Sequence, residues 1–453
     1  MRCLGSGHSD LQTFCGMMNL PPLVQKGSNQ HIKEIISKAV SLAEHERMRK
    51  AAGREYQFAH NDDSDSDANR NIDVSVDGTY MTRGHSSIVG VVTLIGCVTG
   101  KVLDTGTLSK TCKSCDYWNS KDKTSAEYRA WKSNHTSDCT VTHNGSSGGM
   151  EANIASSLFS RSVENYSLRY TRFIGDGDTN SFKTVSESKP YKEIAVEKIE
   201  CVGHVQKRMG TRLRKLKNVM SGKTLSDGKK IGGKGRLTDA QIDSMQSYYG
   251  NAIRGNKQDL MAMREAVLAI YFHKLSSDDK PYHSMCKEQW CKYKKAETAN
   301  QLDSFKHQNS LPAAIMEVIK PIFRDLSHPD LLKKCLDGYT QNANESINNI
   351  IWQICPKNKY HGLKTVEIGV GIATLIFNDG SKALKRPLEL MKLTCGKFTQ
   401  NYFQMTDANR IKQSEKRKTE ASLEARRAKR RKRLHLEENQ EEEEGFPYLA
   451  GAH

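Results

Sequence analysis

An alternating stretch near residue 75 sets the first condition on the fold. Between residues 71 and 77, apolar Ile72, Val74 and Val76 alternate with polar side chains, which is the period-two pattern of a half-buried strand. A second apolar run, 87–99, follows directly, so the two runs predict the opening hairpin of a mixed sheet. Asp77 lies at the end of the first strand, where its carboxylate can be held rigidly and still face solvent or a metal.

The rest of the chain continues in an order typical of α/β layers. Asp176 ends a short apolar strand in the run Gly175-Asp176-Gly177-Asp178, and Glu345 lies on the first turns of a late helix. Further strands are predicted at 101–108, 168–174 and 193–201, and helices at 30–57, 151–165, 238–275, 311–335 and 341–352. The predicted fold class is therefore a mixed α/β sheet flanked by helices.

Positive charge is concentrated in two segments of the 453-residue chain. The net charge is +17, and segments 207–236 and 410–433 hold +10 and +9, so the remainder is close to neutral. Such basic surfaces favour a polyanion such as nucleic acid as partner, although a single run can also be a solvated helix face. No apolar run reaches the ~18 residues of a membrane span, and no secretory signal is visible, so we expect no membrane partner.

The 12 cysteines are scattered, and several have metal-ligand spacing. In the reducing, intracellular compartment expected for this chain, they would be ligands or buried thiols rather than a disulfide framework. Cys112-x2-Cys115 followed by Cys139-x3-His143 predicts a structural zinc site, with His135 as a rival to His143 for the fourth position.

A second candidate zinc site has less regular spacing. It is His283-x2-Cys286-x4-Cys291, with His273 upstream. Separately, the three carboxylates of Asp77, Asp176 and Glu345 are of the type that phosphodiester chemistry needs, because two divalent ions about 4 Å apart must flank the scissile phosphate.

Taken in order, the motifs of this chain resemble the Mutator-like transposase family, a branch of the DDE transposases. The matching stretches are FCGMMNLPP (14–22), DVSVDGTYMTRGHSS (73–87), NGSSGGME (144–151), YTRFIGDGDTNSF (170–182), CVGHVQKRMGTRLRKLK (201–217) and TQNANESINNIIW (340–352). They cover about residues 1–380. The resemblance implies an RNase H-like catalytic sheet, cleavage and transfer of DNA strands, and a mostly helical insertion domain within the sheet domain.

The resemblance also implies a set of site residues. The family's acidic residues fall on Asp77, Asp176 and Glu345, with Asp178 as a rival to Asp176. These carboxylates would bind Mg²⁺ or Mn²⁺. The Cys-x2-His signature falls on Cys201 and His204, and a catalytic role is assigned to His204. The residues expected to bind DNA phosphates are Lys207, Arg208, Arg212, Arg214, Lys215 and Lys217.

The expected domain boundaries follow from these assignments. They are an N-terminal helical segment and acidic linker at 1–70, the first part of the core at 71–220 with a Cys/His insertion at 110–143, a mostly helical insertion domain at 221–338, the last part of the core at 339–380, and a disordered basic then acidic tail at 381–453. The Gly- and Lys-rich segment 221–236 is expected to be a mobile loop. Two basic clusters within 416–433 predict nuclear import.

Two main functional hypotheses follow from these features. One is a metal-dependent transposase that acts as a homo-oligomer on paired DNA ends. The other is a catalytically inactive, element-derived nuclear DNA-binding protein, because the chain starts almost inside the region of resemblance and an upstream DNA-binding module is expected in the family. An RNA-directed nuclease of the same fold is a third possibility.

Overall fold

The computed structural model describes residues 26–60, 70–82, 87–136, 138–176, 180–308 and 310–419, together with single positions 17, 421 and 425. The chain divides into two compact units. The first comprises Met1–Ile199 and Gln341–Lys412, and the second comprises Glu200–Thr340 and Gln413–His453. Most of the second unit is thus inserted between two segments of the first.

A five-stranded mixed sheet forms the centre of the first unit. Its strands are β1 Asn71–Tyr80, β2 Val89–Gly96, β3 Val102–Ser109, β4 Arg169–Gly175 and β5 Glu197–Glu200. Their order across the sheet is β3-β2-β1-β4-β5. Strand β2 is antiparallel to both β1 and β3, whereas β4 is parallel to β1. The mixed α/β class and the opening hairpin predicted from the sequence are confirmed.

Helices cover both faces of this sheet. Those before residue 199 are α1 Lys26–Ala59, α2 Lys113–Asn119, α3 Ala126–His135, α4 Ser147–Ser160, α5 Ser162–Tyr166 and α6 Asn180–Ser188. Val74 and Val76 of β1 pack with Ile154 of α4 in one buried cluster. Because successive side chains of a strand point to opposite faces, Ser75 and Asp77 face away from α4.

The helices of the second unit share one buried core. They are α7 Val202–Val219, α8 Asp239–Arg254, α9 Leu260–Leu275, α10 Lys292–Thr298, α11 Ala313–Leu326 and α12 Pro329–Lys333. Val205, Met209 and Leu213 of α7 belong to this core. The unit therefore begins at Glu200, which differs from the boundary expected at 221, because the apolar face of α7 is buried against the helices that follow it.

The Gly- and Lys-rich segment 221–236 is packed, which differs from the loose loop expected from its composition. Leu225 and Ile231 are buried in the core of the second unit. Arg236 is also buried, and its Nη1 lies 2.5 Å from Asp227 Oδ2. These anchoring side chains are widely spaced and follow neither a helical nor a strand period, so the sequence pattern does not reveal them.

After residue 341 the chain returns to the first unit. It forms α13 Asn342–Ile354, α14 Leu363–Asp379, α15 Lys385–Leu390 and α16 Lys397–Lys418. Val91 and Ile95 of β2 pack with Ile347 and Ile351 of α13 in a second buried cluster, on the face of the sheet opposite to α4. Within the described ranges, none of the helices has the length and apolarity needed to cross a membrane.

The start of the tail predicted to be disordered from residue 381 is folded. Phe403 of α16 is buried, and Asp407 Oδ1 accepts a hydrogen bond of 2.7 Å from the backbone N–H of Ser381. Arg386 donates to both carboxylate oxygens of Glu46 at 2.8 and 2.7 Å. The composition of this segment is dominated by charge, which hides these few anchoring contacts. From residue 420 onward, apart from 421 and 425, the predicted basic and acidic tail lies outside the described residues.

Candidate active site and metal centres

Asp77 lies within β1, three residues before its end at Tyr80, and not at the strand end expected from the sequence, because Gly78 continues the pairing with β2. Asp77 is on the face of the sheet that α13 covers. It is opposite Thr93 in the antiparallel register of β1 and β2. Its Oδ2 accepts a hydrogen bond of 2.7 Å from Asn348 Nδ2 of α13. Since the side chain of Asp77 is only partly buried, the helix fixes this carboxylate while leaving it open to solvent.

Asp176 directly follows β4, the parallel neighbour of β1. The last aligned pair of this register is Ser75 with Ile174. If the same register continued for two residues, Asp176 would lie beside Asp77 on the same face, about one strand spacing of 4.8 Å away. Lys198 Nζ donates to the backbone carbonyl of Asp176 at 2.7 Å, which holds the chain at this point, and Asp176 itself is exposed.

Helix α13, which carries Glu345, contacts β1 at Asp77. Gln341, directly before the helix, donates from Nε2 to the carbonyl of Val76 at 2.7 Å. Glu345 lies four residues after Gln341 and three before Asn348, so the three side chains are neighbours on one helix face. Glu345 is exposed. It lies on the helix between the two residues that contact Val76 and Asp77 of β1.

The position of α13 depends on a buried amide that the sequence analysis did not single out. Asn344 is fully buried, and its Nδ2 donates to Thr93 O at 2.9 Å and to Thr93 Oγ1 at 3.1 Å. Its Oδ1 accepts a hydrogen bond of 2.7 Å from Ser75 Oγ. Polar residues that recur every three or four positions along 341–352 are the sequence pattern that could have indicated this contact.

The three carboxylates do not form one compact ligand group. Across the described residues, their oxygens do not all lie within 4.8 Å of one another, in contrast to the two Cys/His groups described below. In this arrangement the three carboxylates are therefore not the ligands of one common cation.

Glu151 of α4 contacts the last residues of β1 from the opposite face of the sheet. Its Oε2 accepts a hydrogen bond of 3.2 Å from Tyr80 OH, and its Oε1 accepts one of 3.0 Å from Ser181 Oγ. Gly78 leaves the space that this carboxylate occupies, because a Cβ there would collide with it. Ser181 lies in the first turn of α6, shortly after Asp176, so Glu151 links β1 to the segment that follows β4.

Two further predicted site residues lie outside the described part of the first unit. Asp178, the rival of Asp176, lies outside the described residues. His204 belongs to the second unit, where it lies in the first turn of α7 and its backbone N–H donates to Cys201 O at 3.0 Å. Among the described residues, Cys201 and His204 are not part of a metal-ligand group.

The first Cys/His group contains Cys112, Cys115, His135 and Cys139, with one ligand atom of each within 4.8 Å of all the others. His135 Nε2 lies 3.4 Å from Cys112 Sγ and 3.2 Å from Cys115 Sγ, and the sulfurs of Cys115 and Cys139 are 3.6 Å apart. A tetrahedral zinc site requires N–S and S–S separations of about 3.6 and 3.8 Å. The group could therefore bind zinc.

The fourth member of this group is His135 and not His143. His143 Nε2 lies 3.0 Å from Ser146 O, and His143 Nδ1 lies 3.2 Å from Asn153 Nδ2. Both ring nitrogens are thus used at the start of α4. His135 ends α3 and stacks on Trp131 with ring centroids 4.7 Å apart, which orients its ring toward the sulfurs.

The thiols of the first group differ in acidity. Burial would raise the pKa of Cys112, but hydrogen bonds from Thr140 and from the backbone of Cys115 outweigh it and lower that pKa to about 6. Burial and the adjacent Cys139 and Cys112 raise the pKa of Cys115 to about 12. Because neighbouring thiolates repel one another, a cation among them would favour the fully deprotonated set.

The second group contains His273, His283, Cys286 and Cys291. Its N–S separations are 3.7 and 3.8 Å for His273 Nδ1 and 3.5 Å to each sulfur for His283 Nδ1. These distances also match the edges of a zinc tetrahedron, about 3.6 Å. All members that the spacing predicted are brought together here, including His273 from α9.

A chain of side chains orients His283 from outside this second group. His283 Nε2 lies 2.9 Å from His307 Nε2, and His307 Nδ1 lies 2.8 Å from Asp278 Oδ1. Burial, together with His273 and His307, lowers the pKa of His283 to about 4, so its ring is neutral at pH 7. A neutral imidazole whose distal nitrogen is held by a second group is the usual form of a histidine metal ligand.

Most of the basic side chains predicted to bind DNA along α7 are ion-paired within the second unit. The pairs are Arg208–Glu200 at 2.6 Å, Arg212–Asp325 at 3.5 Å, Arg214–Asp243, and Lys217–Asp239 at 3.3 Å. Lys207 and Lys215 are exposed on the same helix. Because the paired carboxylates offset much of the charge, α7 attracts phosphates less strongly than its sequence indicates.

Exposed lysines are more concentrated in the segment that follows α7. Lys223, Lys229, Lys230 and Lys234 are all exposed. Asp227 is the acidic residue among them, and it is paired with Arg236. The packed segment 221–236 therefore presents a compact basic surface, here called the lysine segment.

Comparison with protein families gives one assignment. A family model described as Mutator-like transposase matches residues 1–291. The matched region includes Asp77, Asp176, α7 and both Cys/His groups, and it ends before Glu345. The curated proteins gave no match, and neither did the solved structures.

The class of protein that these observations define is a transposase. Because the matched region spans more than half of the 453 residues, the chain belongs to the Mutator-like transposase family.

Proposed function

We propose that this protein is a metal-dependent DDE transposase that cleaves and transfers DNA strands with Asp77, Asp176 and Glu345. One observation carries the proposal. The parallel register of β1 and β4 pairs Ser75 with Ile174, which would direct Asp77 and Asp176 to one face of the sheet, and α13, which carries Glu345, is hydrogen-bonded to Asp77 of β1.

The fold we propose for the first unit is RNase H-like. Three antiparallel strands followed by two strands on the other side of β1, in the order β3-β2-β1-β4-β5, support this assignment. So do the helices on both faces and the position of Asp77 in the central strand. The second unit, Glu200–Thr340, then corresponds to the insertion domain that the resemblance implies.

The residues at this site fit magnesium or manganese. Carboxylates are the hard oxygen ligands that these ions prefer. In addition, Oδ1 of Asn348, next to Asp77, is a buried oxygen without a hydrogen-bond partner among the described residues. Bound divalent ions would activate the attacking oxygen and stabilise the leaving oxygen at the scissile phosphate.

Other residues of the chain position the three carboxylates. Asn348 orients the carboxylate of Asp77, and Lys198 holds the backbone at Asp176. Glu345 is presented on a helix whose place is fixed by the buried Asn344. We further propose that His204 contacts DNA near the reacting phosphate, a role that rests on the family resemblance.

We propose a structural zinc ion in each Cys/His group. In the 110–143 insertion, the ligands join α2, α3 and the following loop, a region in which α2 has no buried residues. A metal would supply the stability that such a small core lacks.

We propose that DNA is the partner and that its phosphates are contacted by the exposed Lys207, Lys215 and the lysine segment. The family membership supports DNA as the partner, and the exposure of these lysines supports the phosphate contacts. We also propose that the protein acts as a homo-oligomer on DNA ends in the nucleus. Contacts of this kind give salt-dependent affinity rather than sequence choice.

The deciding experiment is nicking of a supercoiled plasmid by the purified protein with Mg²⁺ or Mn²⁺. Asp77→Asn, Asp176→Asn and Glu345→Gln should each abolish metal-dependent nicking. The matched control is Asp73→Asn. Asp73 lies on the same strand as Asp77, and it is paired with Arg172 at 2.8 Å, so this variant should keep its activity.

Two results would contradict the proposal. Nicking that survives Asp77→Asn would exclude Asp77 from the chemistry. DNA binding without any nicking by the unaltered protein would instead favour the second hypothesis, an inactive, element-derived DNA-binding protein.

A further inference from the structure

Asn348 occupies a special place among the polar residues of α13. It is 9% exposed, and its Nδ2 donates to Asp77 Oδ2 at 2.7 Å. It lies one helical turn from Asn344, on the helix face next to β1. It is therefore buried against the carboxylate of Asp77, the first of the three carboxylates of the candidate active site.

The two buried asparagines differ in how their amides are satisfied. Both polar atoms of Asn344 have partners, with Oδ1 accepting from Ser75 and Nδ2 donating to Thr93. Asn348 uses only its Nδ2, and its Oδ1 is buried without a partner among the described residues. A buried oxygen in this state is destabilising unless a donor reaches it.

The orientation of the Asn348 amide is dictated by charge. If the amide were rotated by 180°, its Oδ1 would face the carboxylate of Asp77, and two acceptors would repel each other. Donation from Nδ2 to Asp77 thus directs Oδ1 away from that contact. A donor is needed at that place, and the neighbouring carboxylates are acceptors when ionised.

We propose that Asn348 is a positioning residue for the cation at Asp77, with Nδ2 orienting the carboxylate and Oδ1 accepting a hydrogen bond from a water of the hydrated ion. Magnesium and manganese sites of this kind keep several waters, and each water is a donor. The amide would then fix both the ligand and one water of its ion. This inference rests on the proposed function, because it assumes that Asp77 binds a divalent cation.

The test measures Mn²⁺ binding to the full-length protein by the electron paramagnetic resonance signal of the free ion, so it does not require activity. Asn348→Ala should weaken the Asp77-dependent binding about 10-fold, the usual scale for losing a group that orients a metal ligand. Asn348→Leu, which keeps the volume but has no polar atom, should bind as weakly as Asn348→Ala.

Asn348→Gln separates the amide's polar role from simple packing. It keeps both an N–H donor for Asp77 and an oxygen acceptor, so it should recover Mn²⁺ binding to within about 3-fold of the unaltered protein. The matched control is Asn349→Ala, because Asn349 is the next residue of the helix and is exposed. This variant should leave binding unchanged.

The outcomes separate this inference from the function on which it rests. If Asp77→Asn does not reduce Mn²⁺ binding, there is no cation at Asp77, and both proposals are overturned. If Asp77→Asn reduces binding but Asn348→Leu does not, only the role of Asn348 is overturned, and its Oδ1 binds an ordinary structural water. If Asn348→Gln binds Mn²⁺ as weakly as Asn348→Leu, the role of Asn348 is also overturned. Should Asn348→Ala fail to fold, the Leu and Gln variants still decide between these results.

Discussion

Replacing Asn344 by alanine tests whether buried hydrogen bonds hold α13 on the sheet. The change removes the partner of Ser75 Oγ at 2.7 Å and of Thr93 Oγ1 at 3.1 Å. Ser75 and Thr93 are buried, at 4% and 0% exposure, so water does not replace the lost partner without rearrangement. Each buried polar group left unsatisfied costs about 1–3 kcal/mol.

The expected loss can be worked out from these contacts. Leaving the hydroxyls of Ser75 and Thr93 without their partner lowers the free energy of unfolding by roughly 2–6 kcal/mol. The better helix propensity of alanine raises it by about 0.5 kcal/mol. We therefore expect Asn344→Ala to lower the free energy of unfolding of the first unit by about 3 kcal/mol. Asn349→Ala is the matched control, because it has the same propensity gain at an exposed position and should change stability by less than about 0.5 kcal/mol.

Urea denaturation followed by tryptophan fluorescence is a suitable assay. Trp118, Trp131 and Trp352 belong to the first unit and only Trp290 to the second, so the emission reports mainly on the sheet domain. A loss below about 1 kcal/mol for Asn344→Ala would refute the reasoning, because it would mean that these hydroxyls find other partners at little cost.

Two further predictions concern the metal groups and pH. The zinc content of the purified protein, measured by plasma emission spectrometry, should be two ions per chain. Cys115→Ser and Cys286→Ser should each remove one of these ions. If the zinc content of either variant is unchanged, the group that contains the replaced cysteine does not bind zinc. Burial raises the pKa of Glu44 from 4.5 to about 7. The folded state therefore binds this proton more tightly than the unfolded chain does, and stability should fall as the pH rises from about 4.5 to 7. Glu44→Gln should remove this dependence and stabilise the protein at pH 8 by about 2 kcal/mol, since Glu44 keeps some exposure. If the urea midpoint changes equally between pH 5 and pH 8 in the unaltered protein and in Glu44→Gln, the prediction for Glu44 is wrong.

The sheet could be predicted from the sequence because its pattern is local. Alternation in 71–77 and the apolar run of 87–99 each specify a strand without reference to distant residues. The unit boundary could not be predicted in this way. Helix α7 has one apolar stripe, and only its partners in the second unit, such as Met245 and Ile319, show on which side of the boundary it belongs.

The candidate site was predictable to the extent that motifs carry it. Asp77, Asp176 and Glu345 were named from the sequence. The positions of Asp176 directly after β4 and of Glu345 in the first turns of α13 follow from local pattern, whereas Asp77 was expected to end its strand and instead lies three residues before the end of β1 at Tyr80. What holds them was not predictable, because the contact of Asp77 with Asn348 joins residues far apart in the chain. The same reason applies to Arg214 and Asp243, whose pairing changes how the basic run is interpreted.

Spacing alone also could not identify the fourth member of the first Cys/His group. His143 and His135 both lie within reach of Cys139 along the chain. The choice depends on the ring of His143 being used by Ser146 and Asn153, and on Trp131 stacking against His135. Both are tertiary contacts that no ligand-spacing rule contains.

The insertion of residues 200–340 between the two parts of the first unit has a consequence for synthesis. The ribosome completes β1 and β4, with Asp77 and Asp176, before it makes α13. At 5–20 residues per second, the intervening segment takes on the order of 10–30 s to emerge. During that interval the sheet face formed by Val91 and Ile95 lacks the helix that later buries it. A nascent or prematurely terminated chain would therefore expose an aggregation-prone apolar face and lack Glu345, so the proposed site of three carboxylates could not be complete until the last part of the chain is made.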